Sequence, residues 1–166
     1  MEKYQTFWKR FFAALIDGIV LYPLSLIDIA ANNSSNQFLF GIGIFVSSFL
    51  YIFYFIILHA KYGQTLGKKL MNIKVVDVAE VELIGFKRAM TRESPLLIAT
   101  VAIFLYLFVS LFLLKNIKLT TAKEKYYDLS FLSSFGWLIT ELISMFLNPK
   151  KRAINDLLAK DVVVKI

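Results

Sequence analysis

The chain has 166 residues, of which 58% are hydrophobic and 19% charged, and it carries a net charge of +7. The length suits one domain, while the composition excludes an ordinary soluble fold and indicates a membrane protein. Without cysteine there is no disulfide framework, thiolate metal site or cysteine nucleophile, and the basic residues lie between apolar runs, which fits membrane topology better than nucleic-acid binding.

In the first apolar run, residues 7–31, three ionisable side chains stand at matching helical positions: Arg10, Asp17 and Asp28. At helical spacing they fall within ~20° of one stripe. A charge facing lipid costs at least ~2.5 kcal/mol, so the stripe is expected to face other helices or a watery cavity. The run is too long, and its aspartates too polar, for the core of a cleaved signal peptide, so a retained span is expected. Pro23 cannot donate to the Ile19 carbonyl. Either that oxygen is free for a cation or the helix merely kinks.

Residues 32–37 (NNSSNQ) read as a tight turn. A second span, 38–60, includes 21 residues, 38–58, with no formal charge. Its Ser47, Tyr51, Tyr54 and Leu58 repeat as a packing face. His59 at its end is expected to be interfacial, with no second imidazole for a metal site.

The composition then turns polar over residues 61–94, with seven Lys and Arg. Residues 70–77 (LMNIKVVD) and 81–84 (VELI) have strand-like composition, as does 161–166 (DVVVKI) at the tail. The tail strand is expected to pair with the 70–84 hairpin, because an unpaired edge of this kind invites aggregation. Residues 86–93 read either as a short amphipathic helix, with Lys87, Arg88 and Arg92 free for lipid phosphates, or as a solvated linker. The GQTLGKK turn lacks the full pattern of a P-loop.

A third span, 95–114, opens on Pro95, suited to a first helical turn, and has so few polar groups that it is expected to be the most lipid-exposed. After a polar connection, 115–128, the fourth span, 129–147, carries Glu141. Ser130, Ser134, Trp137, Glu141, Ser144 and Asn148 lie within ~40° of one line on that helix, a stripe that should turn inward. With Lys9 and Arg10 assigned to the amino-terminal end, 15 Lys and Arg fall on the face holding both termini and residues 61–94, against 4 on the other. Both termini are thereby placed in the cytoplasm.

The expected fold is membrane all-α, with four transmembrane helices and a cytoplasmic cap, 61–94 and 148–166, built from a β-hairpin and an amphipathic helix. Candidate binding residues are Arg10, Asp17, Asp28, Glu141 and Asp156. Arg10 lies about 10 Å along the helix from Asp17, so each needs another partner. For Arg10 the leading partner is Asp156, which would clamp the tail to the first helix. Asp17 and Glu141, if they face each other, could bind a cation or share a proton; otherwise they cross-link helices by hydrogen bonds. Asp28, near the far boundary, also reads as simply hydrated. There is no nucleophile elbow, zinc-ligand pair or acid/base dyad, so neither enzymatic activity nor a metal or other cofactor is expected.

Three segments, KRFFAALIDGIVL, YGQTLGKKLMNIKVVD and KRAINDLL followed by VVVK, together resemble the RDD family of small multi-pass prokaryotic membrane proteins. The resemblance puts Arg10, Asp17 and Asp156 at the family's characteristic arginine and aspartate positions, and Thr65, Gly67 and Lys68 at its glycine-threonine-glycine-lysine turn. Asn155 departs from it, since histidine is common there. The resemblance implies a prokaryotic inner membrane, cation or proton transport as in the proposals made for some members, or an accessory-subunit role. The resulting expectation is transport of a monovalent cation or proton through intramembrane carboxylates, in a homo-oligomer because four helices make a thin bundle. The alternative is a scaffold that holds a membrane-protein partner.

Overall fold

The structure, a computed structural model, describes residues 2–80, 82–113, 118–147 and 149–166. Four helical stretches, Phe7–Asn33, Gln37–Tyr62, Gly85–Leu113 and Leu119–Leu147, are long and apolar enough to cross a membrane. Val81 of the expected hairpin, Leu114 and residues 115–117 after the third span, and Asn148 of the fourth-span stripe lie outside the described residues.

The first span is broken. Helix α1 (Phe7–Leu21) passes through a 3₁₀ turn, Tyr22–Leu24, into α2 (Ser25–Asn33). Pro23 has no N–H for the helical ladder, and the chain responds by tightening: the Tyr22 N–H donates to the Ile19 carbonyl. The oxygen that proline could have freed is therefore occupied. Helix α3 (Gln37–Tyr62) starts at Asn36, whose side chain accepts from the Phe38 N–H at 2.8 Å, and ends at Gly63 with φ +68°.

Beyond Gly63 come the short α4 (Leu66–Leu70) and strand β1 (Ile73–Asp77), then α5 (Gly85–Phe108) with a π turn over Val109–Leu113. Helix α5 corrects two expectations. Residues 86–93 are neither a separate helix nor a linker, and Pro95 does not begin the span but sits inside it. The ladder bond that Pro95 cannot give to the Thr91 carbonyl is replaced by the Ser94 hydroxyl, which donates to that oxygen at 2.7 Å.

Helix α6 (Leu119–Leu147) begins well before residue 129, which shortens the connection. At that end the Lys123 ammonium donates to the Asn32 and Ser34 carbonyls, closing the C-terminus of α2. The third span is not the least covered: 17% of its apolar window is buried, against 6% for α6.

Helix α7 (Ile154–Ala159) and strand β2 (Asp161–Lys165) complete the chain. β2 pairs antiparallel with β1, Val75 opposite Val163, as expected for the tail. The third expected strand is absent among the described residues 82–84. There the Asp77 N–H donates to the Glu82 carbonyl at 3.1 Å, and the chain turns straight into α5. Fully buried Ile73, Val75 and Val163 pack with Ala13, Ile52, Ile56 and Ala89 from the spans, so the cap is seated on the ends of α1, α3 and α5.

Candidate functional site

Asp17 is buried, 3% exposed, and does not face lipid. Its carboxylate accepts from the Thr65 hydroxyl at 2.6 Å, the Gly67 N–H at 2.8 Å and the Tyr54 hydroxyl at 2.8 Å. Thr65 also caps α4 by accepting from the Lys68 N–H, so Asp17 grips the start of that helix through its cap and an unsatisfied N–H. The approach is so close that a Cβ at Gly67 would collide with the Ala13 carbonyl. Glycine at position 67 is what lets α4 lie on α1.

A second polar knot ties the tail to the spans. Asp156, fully buried, accepts from Arg10 Nη1 at 2.6 Å, Arg92 Nη1 at 2.5 Å and the Ala153 N–H at 2.8 Å. Arg92 Nη1 also reaches Asp161 Oδ1 at 2.7 Å, joining α5, α7 and β2. Burial alone would raise the Asp156 carboxyl, but the charges of Arg10 and Arg92 outweigh it and hold the group well below the usual aspartate range. Burial pushes Asp161 up to about 6, against the opposing pull of Arg92. The Arg10–Asp156 clamp read from the sequence is present. Arg92 is buried between two aspartates and not free for lipid phosphates, although Lys87 and Arg88 beside it are exposed.

The remaining two candidates lie elsewhere. A cavity of about 710 Å³ lies among the α1–α2 bend, α3, α5 and α6, lined by Asp28 and Glu141 together with Ser47, Ser130, Ser134 and Trp137. The inward stripe expected on the fourth span is therefore realised at four of its positions. The Ser47 hydroxyl donates to Asp28 at 2.5 Å, and the Asn155 side chain hydrogen-bonds Glu141. Asp17 is not part of the lining, so Glu141 shares the cavity with Asp28 and not with Asp17. Among the described residues, no three His, Asp or Glu side chains converge for a metal ion.

The RDD family profile matches residues 4–160. The chain belongs to the RDD family. It is also 28% identical over 97 residues to the "uncharacterized membrane protein YteJ" of Bacillus subtilis (strain 168), covering 54% of this chain and 59% of that protein. The match thus spans less than two thirds of that relative's length. No solved structure matches the chain. With four apolar spans and a membrane-protein relative, this RDD chain is a multi-pass membrane protein.

In this RDD protein, Arg10, Asp17 and Asp156, the positions singled out by resemblance, all serve the joint between cap and spans. Asn155, where the sequence departs from that pattern, links the same joint to the cavity through Glu141. Reading the sequence missed Arg92 as the shared partner of Asp156 and Asp161, and Thr65 as a partner of Asp17. A usable signal existed for Arg92: it falls three residues after Ala89, on the buried face of α5, whereas Lys87 and Arg88 point away.

Proposed function

We propose that the protein carries a proton or monovalent cation across the membrane, with Glu141 and Asp28 as the acceptors. One observation carries this reading: both carboxylates line an intramembrane cavity together with hydroxyl groups, and neither is held by an arginine or lysine ion pair among the described residues. Ionisable groups kept inside a membrane at such cost usually mark an ion or proton path. The excess of Lys and Arg at the cap end, 15 against 4, supports placing that end and both termini in the cytoplasm of a prokaryotic cell.

The test is flux in vesicles reconstituted with purified protein. An imposed pH or sodium gradient should dissipate with wild-type protein, and both Glu141→Gln and Asp28→Asn should reduce the rate at least tenfold while the protein stays folded. Wild-type vesicles no leakier than empty ones would overturn the reading. A second reading, an accessory subunit, is favoured by the thin coverage of α6, whose apolar window is only 6% buried. That reading expects a stoichiometric membrane partner on gentle purification and no flux from the isolated chain.

A further inference from the structure

Three titratable side chains outside the two knots and the cavity stand in line where α4 meets α3 and α5. Lys68 Nζ lies 2.6 Å from His59 Nε2, and on the other side of the ring His59 Nδ1 lies 3.2 Å from Glu93 Oε1. His59 is 1% exposed and its Nδ1 has no aligned hydrogen-bond partner; the Glu93 carboxylate, at 3.2 Å, and the Phe55 backbone carbonyl are the acceptors near it. With the Lys68 ammonium donating to Nε2, the neutral ring must carry its proton on Nδ1, directed at Glu93. We propose that Lys68, His59 and Glu93 form a proton-exchange relay connecting water at the cap with the cavity carboxylates. This rests on the proton-carrying reading above.

The transfer is balanced. A proton leaves Lys68 Nζ for His59 Nε2 while the proton on Nδ1 passes to Glu93 Oε1, leaving a neutral amine, a neutral imidazole and a neutral carboxylic acid. A separated charge pair is neutralised in a poorly solvated site, which low polarity favours. Reversal of the two hops, with Glu93 returning a proton to Nδ1 and Nε2 returning one to Lys68, restores the first tautomer, and the partly covered Lys68 exchanges its protons with water. Glu93 in turn interacts electrostatically with Glu141, and the cavity-lining Tyr51 is in range of both.

The charged groups around His59 are Lys68 from α4, Arg92 and Glu93 from α5 and Asp156 from α7; Phe55 stacks from its own helix. Arg92 Nε stands 3.9 Å from the same Glu93 oxygen. Burial and the charge of Arg92 bring the Lys68 amine down to about 7, where it can both release and take up a proton at neutral pH.

His59 is the one histidine in the chain, so ¹⁵N-histidine labelling gives a single imidazole to follow by NMR in reconstituted protein. The expected spectrum shows a neutral ring protonated on Nδ1, exchanging with water at least tenfold faster than in Lys68→Arg or Lys68→Met. Arginine keeps the charge but cannot release a proton, so a merely structural role for Lys68 would be rescued by it. Glu93→Gln should shift the tautomer away from Nδ1–H. Exchange in Lys68→Arg at the wild-type rate, or a wild-type ring protonated on Nε2, would overturn the relay whatever the flux. If the ring behaves as expected but wild-type vesicles show no flux, the transport reading falls and the exchange site stands.

Discussion

The cap joint and the cavity treat buried charge in opposite ways. At the joint, Asp156 meets two arginines and a backbone N–H, and Asp17 meets two hydroxyls and a backbone N–H. In the cavity, Asp28 has a single serine hydroxyl on its carboxylate and Glu141 the side chain of Asn155. Carboxylates committed to several donors hold a structure together; carboxylates with spare capacity beside open space can accept something else. The contrast teaches that intramembrane acidity alone does not mark a site, whereas unused acceptor capacity does.

The largest effect should come from Asp156→Asn. It removes the anion that Arg10 and Arg92 share, leaving Arg10 without its carboxylate and Arg92 with Asp161 alone of its two aspartates, at about 3–5 kcal/mol. Thermal unfolding in detergent should show a large drop in midpoint, with the tail becoming protease-sensitive. Acid gives the same test without mutation. Asp156 is held below its unfolded value, so its contribution is present above the ordinary aspartate value of 3.8 and is lost as pH falls through lower values. Asp161 is shifted the other way, to about 6, so its contribution is fully present below 3.8 and lost as pH rises through about 6. Stability should accordingly rise slightly from pH 7 down to about 4 and then fall, and a midpoint scan across that range checks the sign.

Asp17→Asn comes next, at about 2–3 kcal/mol, because the amide can accept from only one side while three donors converge on the position. Hydrogen exchange should report loosening of α4 and β1 ahead of the spans. A variant that leaves cap protection unchanged would put Asp17 on the cavity side of the comparison.

Much of the architecture was legible in the residues. The four apolar runs gave the spans, the lysine and arginine bias gathered the two termini at one end, and the β-branched tail found its strand partner. The Arg10–Asp156 clamp followed from two charges that each needed a partner at that end. What the residues concealed depended on replacement bonds. Pro95 reads as a helix start only because the Ser94 hydroxyl's service to the Thr91 carbonyl is invisible in one dimension. The pairing of Asp17 with Thr65 and Gly67 was hidden because it depends on α4 folding back over α1, a packing event with no periodic signature. The expected facing of Asp17 and Glu141 fails because Tyr54, Thr65 and Gly67 take up the Asp17 carboxylate, whereas Asp28, beyond the 3₁₀ turn at Tyr22–Leu24, lines the cavity with Glu141.

The smallest effect on folding should be that of Glu141→Gln, under about 1 kcal/mol, because the amide retains an acceptor for Asn155. The most direct test is to unfold Glu141→Gln and Asp156→Asn side by side in one detergent. The division described here predicts a wild-type-like midpoint for the first and a large loss for the second. Equal losses would contradict it, because both carboxylates would then be structural.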